Sequence, residues 1–199
     1  GLAGHFPNPT PGSANPRTSQ YTGPNISSIN HYPNHGQASQ DIRVTARVAG
    51  RHAPVDKVTL TCRIMFEAYQ PTLSMADDGL GADAVAGDGI YTTLIESRAS
   101  VPRPFAPGDM VRWYIQATDA NDNTSRKPEF LDHTGSAQYF GTVINDPSVP
   151  KTPLPVFQWF VPEPKWYRRG SSNNRDWTQG SVYFQGEFID NLRIRTRGA

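Results

Sequence analysis

The chain predicts an all-β fold, a β-sandwich, and three observations carry that expectation. Short runs of alternating apolar and polar residues recur between Ile42 and Ile144. Clusters of Gly, Pro, Asn and Asp separate them, and no segment keeps an apolar face at helical spacing over three turns. Composition agrees: 18 prolines and 17 glycines accompany a hydrophobic content of only 36% in 199 residues. Such a chain is rich in turns and short strands, and its length suits one ordinary domain with extensions or two small ones.

Taken in order, residues 1–24 hold five prolines and four glycines and almost no apolar periodicity, which denies them helix and central strand alike and predicts an extended arm. From Asn25 the pattern changes. "IRVTARV" (Ile42–Val48) sets Ile, Val and Ala against Arg and Thr, a strand with one wet face. "VTLTCRIMF" (Val58–Phe66) and "IYTTLIES" (Ile90–Ser97) follow, and then "MVRWYIQATD" (Met110–Asp119). In that last run Val111, Trp113, Ile115 and Ala117 share one face and Arg112, Tyr114 and Gln116 the other, which makes Trp113 the expected central aromatic of the core. "QYFGTVI" (Gln138–Ile144) closes the series, and "DANDN" (Asp119–Asn123) reads as a hairpin turn. The sandwich is therefore expected over residues 25–146. A proline-rich linker then leads to a short strand in "VFQWFV" and a hairpin, Ser181–Gln185 and Phe188–Arg197, that turns near Gly186-Glu187.

Several function classes fall away on composition. Cys62 is the only cysteine, so no intrachain disulfide and no two-cysteine metal site can form, and its strand context predicts a buried thiol. No apolar run approaches the roughly 20 residues that cross a bilayer as a helix, so a transmembrane protein is not expected. No basic-then-apolar leader is present, and the first residue is Gly rather than Met, which suits a processed or excised piece. There is no Gly-x-Ser-x-Gly elbow, phosphate loop or dinucleotide fingerprint. A net charge of +1 argues against dedicated nucleic-acid binding. The charge is unevenly spread, however. Residues 75–132 carry ten acidic and five basic side chains, and residues 150–199 carry eight basic and four acidic. Two such regions are expected to face each other or different partners.

Three features are candidates for chemistry. "MADDGLGADAVAGDGIYTTLI" (Met75–Ile95) gathers Asp77, Asp78, Asp83 and Asp88 among glycines. Asp caps turns with its own side chain and Gly supplies positive φ, so the bland expectation is an elaborate hairpin turn. Ca²⁺, which takes six to eight oxygens, is the alternative, although the order of an EF-hand loop is missing. Paired-carboxylate hydrolysis needs a fixed spacing and a cleft, which a glycine-rich turn does not supply. The histidines His5, His31, His35, His52 and His133 are scattered in expected loops, and the proline in "HYPNH" rules out a helical zinc face. Finally, Arg193, Arg195 and Arg197 project from one strand face about 7 Å apart. Arg168 and Arg169 share the same basic region with Trp159, Trp166 and Trp177. Such a row is either solvated or meets Glu187, Asp190, a neighbouring domain or phosphate, so these residues form the expected interaction surface.

"DDGLGADAVAGDGIYTTLI" followed by "GDMVRWYIQATDANDN" resembles the immunoglobulin-like module of large bacterial surface proteins. In that module an Asp-Asp-Gly…Gly-Asp-Gly-x-Tyr hairpin precedes a strand of the type aromatic-Tyr-Ile-x-Ala-x-Asp. The module often lies between a lamin-tail-like domain and a kinase-like domain of the spore-coat CotH family, and two flanks of this chain are similar to those neighbours. "PNPTPGSANP" (Pro7–Pro16) resembles the end of a lamin-tail domain. "VYFQGEFIDNLRIRTRGA" (Val182–Ala199) resembles the start of a CotH-type domain. The resemblance implies an immunoglobulin/fibronectin-III-like β-sandwich over residues 25–146, preceded by an extended N-terminal arm (1–24). A linker with a C-terminal β-hairpin extension would follow (147–199). It places the lysine and acidic residues of a kinase-like site beyond Ala199 and carries no catalytic residue into this chain. The function expected is thus that of a non-catalytic structural or docking module of a bacterial protein that is extracellular, at the cell surface or periplasmic. A protein partner or neighbouring domain is expected, and no cofactor unless the aspartate loop takes Ca²⁺. Two alternatives stand beside it: an inactive N-terminal fragment of a CotH-like kinase, and a Ca²⁺-dependent carbohydrate-binding sandwich that uses the tryptophans.

Overall fold

A computed structural model describes residues 22–131, 135–150, 152–162 and 178–194. Eleven strands are present there: β1 (Asn25–Tyr32), β2 (Ile42–Ala49), β3 (Val55–Ile64), β4 (Thr72–Ser74), β5 (Ile90–Ile95), β6 (Met110–Asp119), β7 (Thr124–Lys127), β8 (Phe140–Val143), β9 (Phe157–Phe160), β10 (Thr178–Phe184) and β11 (Glu187–Ile194). They form three sheets in which every pairing is antiparallel. No helix occurs among the described residues, so none is long and apolar enough to cross a membrane.

Two of these sheets make the expected β-sandwich. The first is ordered β1-β2-β5 and the second β4-β3-β6-β7, with β8 also on β6. The second sheet is built on β6. Its Val111–Asp119 pairs with β3, while the opposite edge is shared by β8 along Met110–Trp113 and β7 along Ile115–Thr118. The period-two alternation read from the sequence sets the packing. Ile42, Val44, Ala46 and Val48 of β2 meet Val58, Leu60, Cys62 and Ile64 of β3 and Val111, Trp113, Ile115 and Ala117 of β6 in one core. Trp113 is 1% exposed, and the thiol of Cys62 is pushed up to about 12 by burial in this core. Each fully buried aliphatic side chain contributes about 1.5–3 kcal/mol, so this layer dominates the favourable side of folding.

The structure revises the sequence expectation in five places. β1 and β7 are strands where the sequence predicted loops or turns, and β4 lies where it predicted no element, because "NISSINHY", "TLS" and "TSRK" are short or largely polar. β1 is further disguised by a bulge between Ser27 and Asn30, where Ser28 sits at φ 47°. The aspartate-rich segment is not the turn of a hairpin within one sheet. It leaves β4 of the second sheet and enters β5 of the first, so it crosses the sandwich. The bridge between Ala76 and Thr92 closes its base. The C-terminal turn is formed by Gln185-Gly186, one residue earlier than expected, with φ of 50° and 90°. Both values are left-handed, as a two-residue hairpin of matching twist requires.

The third sheet, β11-β10-β9, docks on the sandwich. Tyr183 of β10 joins Met65, Met110 and Val143 in a second buried cluster, against which Phe160 and Phe188 pack. The aromatic tail therefore finds part of its cover on the sandwich itself.

Candidate functional site

The docked hairpin has two faces, and they differ. Its inner face is locked to the segment before β8 through Asp190. The Asp190 carboxylate accepts the Gln138 N–H at 3.0 Å, the Tyr139 N–H at 2.9 Å and the Ser181 hydroxyl at 2.6 Å. Arg112 Nη1 approaches it at 3.9 Å. A bulge sets this up. Asp190 and Asn191 together face Ser181, and Asn191 adopts φ 54°. The extra residue shifts the side-chain alternation, so Asp190 turns inward instead of sharing a face with Leu192. The sequence reading had offered Asp190 as a counterion for the arginine row; the structure instead holds it in the junction, while Arg193 is exposed. Nearby, the Tyr183 hydroxyl donates to the Asn34 carbonyl at 3.3 Å and its ring meets His35 edge-on at 5.7 Å.

The outer face is apolar and open. Cross-strand neighbours share a face, which aligns Trp159, the buried Val182 and Ile189 in one row and Phe157, Phe184 and Glu187 in the next. Phe157 and Phe184 stack with centroids 4.1 Å apart, and the Phe157 and Trp159 rings lie 6.5 Å apart. Phe157 is 51% exposed, Trp159 53% and Ile189 43%. Among the described residues β9 is also an edge strand, paired with β10 alone. Of the expected interaction surface, Trp159 thus lies on this face and Arg193 lies exposed on β11. Trp166, Arg168, Arg169, Trp177, Arg195 and Arg197 fall outside the described residues.

The aspartates of the 77–89 loop hold that loop's own backbone. Asp77 accepts the N–H groups of Asp88 (3.2 Å) and Gly89 (3.0 Å) across the loop. Asp83, which is buried, accepts the Gly79 N–H at 2.7 Å and the Thr92 hydroxyl at 3.3 Å. Asp78 and Asp88 cap the turns that follow them, binding Leu80 and Ile90 N–H at 2.9 and 2.8 Å. Gly79, Gly81, Gly87 and Gly89 all have positive φ. These are the contacts expected of turn-forming Asp and Gly residues. Among the described residues no three His, Cys, Asp or Glu side chains come together as a metal-ligating set.

The "DANDN" turn follows the same rule. Asp119 is buried and accepts from Asn121 N–H, Asn123 N–H and the Asn123 amide. Burial raises its carboxyl pKa, but the bonds from Asn123 and Asn121, helped by the charge of His52, outweigh that and leave it below the ordinary carboxylate value. His31 departs from the loop reading. It lies in β1, its ring 5.1 Å from that of Trp113, and burial lowers its pKa. His5 and His133 fall outside the described residues. The sequence missed the importance of the outer face of β6. The sequence places Arg112 only on the face opposite Trp113; its side chain is 12% exposed beneath the hairpin, with its guanidinium 4.3 Å from the Tyr139 ring. Arg126 lies 4.1 Å from the Tyr114 ring alongside. Nothing local in "VRWY" announces a cover that arrives some seventy residues later.

No family model matches the chain, and no curated protein matches it.

Proposed function

We propose that the chain is a non-catalytic structural and docking module of a secreted or surface-associated bacterial protein. In this reading it is an immunoglobulin-like sandwich whose C-terminal sheet presents a face to a neighbouring domain or partner subunit. The observation that supports this is the asymmetry of the hairpin. One aromatic face packs on the sandwich, and the other leaves Phe157, Trp159 and Ile189 exposed beside β9, an edge strand among the described residues. A patch that joins large apolar rings to a free sheet edge suits association with protein, by packing and by strand addition. Glu187, the exposed cross-strand partner of Phe184, sets a charge at the end of the patch, as on the polar rim of protein interfaces.

The test is co-purification from the native source with wild-type chain and with a Phe157→Ser/Trp159→Ser variant of unchanged melting temperature. The expected result is a defined protein partner retained by the first and lost by the second. Retention of the same partner by the variant would sink the proposal. A carbohydrate-binding reading rests on the same exposed rings. It requires glycan binding that disappears in Trp159→Ala, and in its calcium-dependent form it also requires loss on chelation.

A further inference from the structure

We propose that the cavity between the outer face of the sandwich and the docked hairpin is a seat for a small oxyanion, a phosphoryl or carboxylate group, held by Arg63 and Arg112. The cavity measures about 330 Å³ and is bounded by Arg63, Phe66, Arg112, Gln179, Ser181 and Asp190 among others. That is the small end of the range of ligand pockets.

Among the described residues that line it, the charge count is unbalanced. Arg63 on β3 and Arg112 on β6 are direct cross-strand partners, an arrangement that is destabilising for like charges. Among the described residues the carboxylate lining the cavity is Asp190, and its oxygens are already taken by two backbone N–H groups and the Ser181 hydroxyl. Its approach to Arg112 is long, at 3.9 Å. Arg63 makes no ion pair among the described residues. The Nε atoms of both arginines are buried and have no hydrogen-bond partner among the described residues. A buried guanidinium donor left unpaired is costly, so two together at one cavity mark a missing acceptor. Burial and the facing charge of Arg63 both lower the pKa of Arg112, the sign of a cation short of counter-charge. Arg126, by contrast, is satisfied: its two Nη atoms donate to the Pro128 and Gln138 carbonyls at 2.7 Å each. A guanidinium presents its donors as a planar fork that matches phosphate and carboxylate oxygens. The anion is therefore the group that would balance this pair.

The experiment uses the full 199-residue chain. Inorganic phosphate and succinate are titrated separately against sodium chloride of equal ionic strength, reading the ¹⁵N signals of arginine Nε–H and the melting midpoint. The expected result is that phosphate, succinate or both shift the Arg63 and Arg112 signals and raise the midpoint, where chloride does not. A response to phosphate alone assigns a phosphoryl ligand, and one to succinate alone a carboxylate. Arg63→Gln should weaken the response about tenfold or more, the effect of losing a charge-assisted hydrogen bond. Without anion it should melt no lower than wild type, because it relieves the facing charge. Arg43→Gln, an exposed arginine of the other sheet, should respond as wild type. Absence of any anion-specific shift overturns the proposal, and so does an Arg63→Gln chain that responds like wild type.

Discussion

Gly141 of β8 lies directly beneath the ring of Phe188 of β11: a Cβ added to Gly141 would stand 2.9 Å from Cε1 and 3.0 Å from Cδ1 of that ring. The hairpin is seated on the sandwich where a side chain is missing. Gly141 does not need positive φ, so alanine is compatible with its backbone and reports on the ring contact alone. Gly141→Ala is expected to cost about 1–3 kcal/mol, as overpacking of a close contact does. Amide exchange over residues 182–190 should accelerate more than exchange in β3. Unchanged exchange there would mean that the hairpin is not held by this contact.

Asp190 supplies the polar half of the same junction. Removing its carboxylate strands two backbone N–H groups and the Ser181 hydroxyl in a buried place and deprives Arg112 of its nearest counter-charge. Asp190→Ala should therefore cost about 3–5 kcal/mol in urea denaturation, the scale for breaking a buried charge network by one member. Combined with Gly141→Ala the losses should be less than additive, because both variants unseat one hairpin.

How much of this was legible follows from where the information lies. β6 was readable to its last residue because Val111, Trp113, Ile115 and Ala117 alternate strictly with polar neighbours and are buried on one face. β7 was not, since Thr124–Lys127 contains no apolar residue and is a strand only because β6 offers it an edge. The aspartate loop was legible as turn chemistry, and Asp77 and Asp83 bind backbone as that chemistry predicts. That it passes between sheets was not legible, because no local pattern states which sheet a strand joins. The burial of Arg112 under the hairpin was illegible for the same reason. It depends on Asp190 turning inward at a bulge, and a bulge inverts the alternation from which faces are read.

The 77–89 loop can be tested for what holds it. Asp77 and Asp83 each bind two donors, one pair spanning the loop's ends and the other fixing Gly79 to the strand residue Thr92. Asp77→Ala and Asp83→Ala should each lower stability by about 1–3 kcal/mol, the cost of leaving such donors unpaired. Asp78→Ala, which frees one exposed turn N–H, should cost less. The losses are expected to be equal in calcium and in chelator. A loss seen only in calcium-containing buffer would assign the loop to the ion instead.

His31 gives the fold a defined sensitivity to acid. Its ring is packed against Trp113 and its Nε2 is buried without a hydrogen-bond partner, so the folded state resists protonation, and burial lowers its pKa from the ordinary 6.5. The unfolded chain then binds the proton more readily than the folded one. Stability is complete above pH 6.5 and falls as the pH drops below that value toward the lowered folded pKa. Asp119 and Asp146 also have lowered pKa values, but their contribution is present above the ordinary 3.8 and is lost only as the pH falls below it. The interval between about pH 6.5 and pH 5 thus isolates His31 from these two carboxylates. Urea midpoints measured across it should decline for wild type and stay flatter for His31→Gln, which cannot take up a proton. A wild-type midpoint that holds level across the interval would mean that the ring is protonated as easily in the folded chain as in the unfolded one, and that its place against Trp113 costs the cation nothing.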